Sequence, residues 1–233
     1  MPQADQNESL TLEDAGFATL LLVAAVLPGI FLFAHFSGAG IATGIAGTLL
    51  MEAGLLAAVA WVMRHRRLSW TDTFGLQKNR LPRAALFGVA GCVALLPVLL
   101  LLSGLWRLML IALGLPADNQ PAIEWITSNQ SRILLGLLFL QAAVAAPVIE
   151  ELFFRGLLEQ SFRSRVRPPI AAVLSALLFA AFHAHLPSLL PLFAIALGFS
   201  AVYYYTRSLA AAVVMHALYN TINFMWVLIA PPT

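Results

Sequence analysis

Long apolar blocks dominate this chain, separated by short polar stretches. A helix that crosses a bilayer needs about 20 mostly apolar residues. Seven segments meet that requirement, at 17–36, 40–63, 84–105, 133–160, 168–186, 188–206 and 208–229. The fourth is long, so it is expected either to tilt or to leave the bilayer with its last turns. Residues 106–116 form a weak eighth candidate, too short to span, that leads into the polar loop PADNQPAIEWITSNQSR. No strand alternation, internal repeat or low-complexity tract stands out. The pattern predicts an all-α, polytopic integral membrane bundle of about seven (six to eight) transmembrane helices. A polar N-terminal tail covers 1–16. The N-terminal helices cover 17–130, with a basic loop at 64–83 and a polar loop at 106–131. A second helical core covers 131–229.

Composition agrees with the pattern. Of the 233 residues, 61% are hydrophobic and 10% charged, against about 25% charged in an ordinary soluble domain. Mean hydropathy is +0.86. So little polar material could not cover a soluble globule, and a net charge of +2 gives no reason to expect nucleic acid. The single cysteine, Cys92, lies in an apolar run and allows no disulfide within the chain. It is expected to be a lipid-facing or packed apolar residue. The first 16 residues hold Asp5, Glu8, Glu13 and Asp14 and no Lys or Arg. They lack the basic start of a secretory signal.

Charge sets the orientation. Arg64, Arg66, Arg67, Lys78, Arg80 and Arg83 follow the second segment; Arg163, Arg165 and Arg167 follow the fourth; Arg207 follows the sixth. These fall on one side, with only Arg107 and Arg132 on the other. The bias places the basic loops and the N-terminus in the cytoplasm, in a multi-pass protein of the cell membrane. Trp61, Trp70 and Tyr203 to Tyr205 fit interface anchors.

Against this background the polar residues inside the segments carry information. Intramembrane ionisable groups are costly and mark interior or functional positions by default. They are Glu52, Glu150, Glu151, Arg155, His183 and His216, with Glu159 and His185 at the margins and the amides Asn220 and Asn223 beside them. On straight helices, Glu150 lies about 20 Å from the basic-loop end, His183 about 22 Å, and His216 and Asn220 about 12 and 18 Å. Pro147, inside the fourth segment, predicts a kink there. Glu151 and Arg155 stand at i and i+4, as do His216 and Asn220, and Phe179 and His183. A desolvated carboxylate serves as a general base near neutral pH. A histidine can share that task, and a histidine with an amide can donate to an oxyanion. Together these types suit hydrolysis without a Ser or Cys nucleophile. Glu52 has no local partner, and is expected to be a packed, protonated acid or to line a cavity. His35, His65 and His185 read as interfacial.

Three motifs in this region match a known family in order: Glu150-Glu151-Leu-Phe-Phe-Arg155 as EExxxR, Phe179-Ala-Ala-Phe-His183 as FxxxH, and His216-Ala-Leu-Tyr-Asn220 as HxxxN. Over about 130–225 the chain resembles the CAAX prenyl protease and bacteriocin-processing (CPBP, Abi) intramembrane endopeptidases. The resemblance implies peptide-bond hydrolysis within the membrane, on a membrane-associated or lipidated peptide or protein. It implies that Glu150 and His183 activate water, that His216 and Asn220 stabilise the oxyanion, and that Glu151 and Arg155 shape the site. It also makes 131–229 the catalytic core. CAAX cleavage itself does not carry over. No cofactor is expected to be required. Glu150, His183 and His216 offer zinc a carboxylate and two imidazoles, yet no HExxH lies on one helix. Two competing readings are a non-proteolytic immunity or scaffold protein of the same fold and, with no paired repeats in its favour, a proton-coupled transporter.

Overall fold

In a computed structural model of the chain, residues 10, 11, 13, 14, 16, 41–128 and 131–230 are described. The first apolar segment, 17–36, and His35 lie outside them. The described residues contain helices and connecting turns, and no strand. We label the helices α1 (Ile41–His65), α2 (Trp70–Thr73), α3 (Leu81–Ala112), α4 (Pro121–Ser128), α5 (Arg132–Arg163), α6 (Pro168–Phe182), α7 (Leu186–Thr206) and α8 (Leu209–Ile229). Five of them, α1, α3, α5, α7 and α8, are long and apolar enough to cross a membrane. The chain is a multi-pass membrane protein.

Two expectations change. The weak segment at 106–116 is no separate piece, because α3 runs on to Ala112. The fifth segment is too short to span. α6 has 15 residues, about 22 Å of rise against a hydrocarbon core of about 30 Å. Pro168 opens it, at a position where the missing N–H costs nothing. It stops at Phe182, and Ala184 turns the chain with a left-handed φ of 48°. α7 starts two residues later. His183 therefore caps a helix end instead of standing inside a span. Irregular backbone at such depth must be covered by protein. The α3–α4 region supplies cover: Trp106 Nε1 donates to Leu186 O at 3.0 Å, and Gln120 Nε2 donates to Ser188 Oγ at 2.7 Å.

α5 is the central element. It contains two stretches of wide, π-type turn, Gln141–Ala145 and Leu152–Glu159, on either side of Ala146–Glu151. The first accommodates Pro147, which has no N–H to return to the preceding turn. In the second, every residue from Phe153 to Glu159 is buried, so this part of α5 is enclosed on all sides. Its neighbours pack closely through small residues. A Cβ on Gly88 of α3 would stand 2.6 Å from Ala211 O of α8. The core around this helix includes Phe153, Phe154, Leu157, Leu158, Phe179, Ile195 and Phe199. Leu86, Val93, Leu100, Leu101 and Leu108 of α3 face outward, as lipid-facing residues do.

Candidate active site

The alternation of charge in α5 becomes a buried network. Glu151 and Arg155 are both fully buried, and Arg155 Nη1 donates to Glu151 Oε1 at 3.0 Å. Arg155 Nη2 donates to Ala196 O of α7 at 3.0 Å. Its guanidinium lies 4.6 Å from the Phe179 ring centroid and 5.1 Å from that of Phe199. Cation–π attraction thus adds to the ion pair where no water is available. Glu150, one residue earlier, is also buried and points elsewhere.

His216 of α8 joins both acids. Its Nδ1 lies 2.9 Å from Glu151 Oε1. An ion-paired carboxylate accepts only, so Nδ1 carries the proton in this bond. The ring stacks on Phe199, with centroids 4.6 Å apart and planes at 19°. This fixes Nε2 toward Glu150, whose Oε2 is 3.8 Å away. That distance is too long for a hydrogen bond and suits two groups that share one water.

His183 is held from its own helix. Its Nδ1 donates to Phe179 O at 2.9 Å. This carbonyl belongs to the last turn of α6, where carbonyls lack helical partners. The bond fixes the tautomer and leaves Nε2 as the available nitrogen. Phe179 also packs against the rings of His183 and His216. The FxxxH spacing therefore does three things: it supports Arg155, buttresses His216 and orients His183. Among the described residues, no hydrogen bond or ion pair joins His183 to Glu150 directly.

Asn220 meets the site differently. Its Nδ2 donates to Ala142 O at 2.8 Å, inside the first wide turn of α5. That turn frees carbonyls from the regular ladder, and Asn220 takes one. It keeps one amide N–H for other use. Glu52 also acquires a partner that local spacing could not show. Gln141 Nε2 donates to its Oε1 at 2.6 Å. Glu159 is fully buried and accepts from Ser200 Oγ at 2.6 Å while pairing with Arg163. Ser175 Oγ donates to Phe154 O, a structural task. His185 Nδ1 meets Ser188 Oγ at 2.8 Å. Tyr203 is not an interface anchor, because it is buried and accepts from Gln160 Nε2.

Among the described residues, no group of three His, Cys, Asp or Glu side chains is disposed to hold a metal ion. Glu150, His183 and His216 do not form such a group.

Comparison with known proteins finds a likeness over the same part of the chain. Residues 132–222 match the family model described as type II CAAX prenyl endopeptidase, Rce1-like. This match, over 91 of the 233 residues, supports a likeness to the CAAX prenyl protease family. The match begins at α5 and runs into α8, and so contains every residue of the network. No curated protein and no solved structure was found to match the chain.

Proposed function

We propose that the protein is an intramembrane endopeptidase that hydrolyses a peptide bond in a membrane-associated or lipidated peptide. The observation that carries this reading is the His216 geometry, with Nδ1 on Glu151 and Nε2 facing Glu150 at 3.8 Å. In this mechanism a water sits between Glu150, His216 and His183. Glu150 acts as carboxylate and general base, and His183 Nε2 accepts from the same water. The water oxygen bonds to the scissile carbonyl carbon as Glu150 takes its proton. His216 acts in its doubly protonated form, so Nε2–H donates to the developing oxyanion, and the free N–H of Asn220 donates beside it. The C–N bond then breaks, and Glu150 passes its proton to the leaving amine. Glu151 and Arg155 act through His216, whose ring they hold and whose imidazolium Glu151 stabilises. No bound metal is required.

The test uses the full chain in proteoliposomes with a farnesylated CAAX-type peptide and its unprenylated counterpart, products being read by mass spectrometry. The wild-type protein cleaves the lipidated peptide. Glu150→Gln and His216→Ala do not, although both remain folded. Cleavage by Glu150→Gln at the wild-type rate refutes the mechanism. Treatment with a chelator leaves the wild-type rate unchanged.

A further inference from the structure

A second polar site lies at the basic-loop ends of the helices. Gln160 is ten residues beyond Glu150 along α5, about 15 Å on a regular helix. There a cavity of about 390 Å³ is lined by Arg80, Arg163, Arg207, Asp72, Gln160 and Tyr203, among others. The cationic groups come from α5 and from the segments flanking α3 and α7, so the chain gathers them from distant positions. Glu159 neutralises Arg163 from the buried side. Asp72 is the one acid on the lining, and two further arginines face it. The cavity therefore keeps net positive charge.

Its donors are arranged and partly unused. Tyr203 accepts from Gln160 Nε2 and so keeps its own O–H to donate. Arg163 Nε is buried with no partner among the described residues. The rings of Tyr203 and Tyr204 lie 5.9 and 5.3 Å from the Arg163 guanidinium, and Tyr204 lies 5.1 Å from that of Arg207. These contacts hold both cations in place.

The walls are also fixed in advance. Leu209 N–H donates to Phe74 O at 2.8 Å, and Arg80 Nη1 donates to Arg207 O at 3.4 Å. Gly75 has φ of +64°, and a Cβ there would stand 1.9 Å from Arg207 O. Only glycine allows that approach. Arg207 itself caps α7 in the left-handed region, φ 55°, where glycine is the default residue. Arg207 lines the cavity from this strained position. Exposed Trp70, Tyr204 and Tyr205 stand in the same layer, which is where aromatic side chains mark lipid headgroups.

We propose that this cavity binds a phosphate-bearing anion at headgroup depth. Guanidinium forks match the paired oxygens of phosphate, and basic pockets at this level take anionic headgroups. The phosphate comes either from an anionic lipid or from solution, and the experiment separates the two. The full chain is purified in micelles doped with phosphatidylglycerol or phosphatidylcholine, and native mass spectrometry reads the retained lipid. Inorganic phosphate is titrated separately while the unfolding temperature is followed. A lipid site retains phosphatidylglycerol over phosphatidylcholine, and Arg80→Gln/Arg207→Gln weakens retention by about tenfold, the scale of one charge-assisted contact. Both side chains are exposed, and the variant's unfolding temperature checks its fold. If the double variant unfolds early, Arg80→Gln alone carries the test. A phosphate-dependent rise in unfolding temperature that the variant loses, without lipid preference, assigns the site to free phosphate. Equal retention of both lipids with no response to phosphate overturns the proposal. So does any binding that the arginine substitutions leave unchanged.

Discussion

Two adjacent glutamates in α5 have opposite relations to stability. Glu151 is bound twice through one oxygen, by Arg155 and by His216. Removing Arg155 leaves a buried carboxylate with half its support, and breaking a buried pair costs roughly 3–5 kcal/mol. Arg155→Ala is therefore expected to lower stability by that amount, as read from denaturant unfolding in detergent. A loss no larger than that of a surface substitution contradicts the pairing. Glu150 makes no such bond. Glu150→Gln is expected to leave unfolding unchanged while reducing cleavage by about 10²–10⁴, the range for losing a general base. The two substitutions thus separate folding from chemistry within one helical turn. The EExxxR spacing made the Glu151–Arg155 pair legible in the sequence. The bond from His216 was not, because 65 residues separate the partners and only the packing of α8 on α5 joins them.

α6 is cut short, and its end carries His183 followed by Ala184 at φ 48°. An L-residue in this conformation costs roughly 1–2 kcal/mol, which glycine avoids at some loss of chain entropy. Ala184→Gly is expected to raise stability by up to about 1 kcal/mol, measured by thermal unfolding, and to leave the His183 bond to Phe179 in place. In α5, the wide turn before Pro147 depends on Asn220 to satisfy Ala142 O. Asn220→Ala leaves a partly buried carbonyl without this donor, at about 1 kcal/mol. It should therefore lower both stability and activity, whereas a residue with an oxyanion role alone would lower only activity. The proline announced a distortion in the sequence. The form it takes, two wide turns instead of a simple kink, depends on what surrounds the helix.

The whole molecule has two ends of different character. The basic loops gather around the phosphate-binding cavity proposed above, and Arg66 Nε reaches Asp14 Oδ1 at 3.0 Å, so the N-terminal tail meets this end. Asp118 and Gln120 lie at the other. Cysteines introduced at Lys78 and Asp118 should react with a membrane-impermeant reagent from opposite faces of sealed vesicles. Cys92 is fully buried and should stay silent. Labelling of both positions from one face contradicts a membrane-crossing α3, which lies between them.

The class of solvent, the helical content, most helix positions and the costly intramembrane polar residues follow from the chain alone. Each follows from a local cause: bilayer thickness sets segment length, and the cost of buried charge singles out Glu150, His183 and His216. The sequence could not decide that 168–186 falls short of a span, since apolar character persists past the point where Ala184 turns the chain. Nor could it supply Gln141 as the partner of Glu52, the burial of Tyr203 or the double role of Glu151. These depend on distances between helices far apart in the chain. Such distances are set by close packing at Gly88 and by the ring stack around Phe179 and Phe199, which exist only once the bundle is assembled.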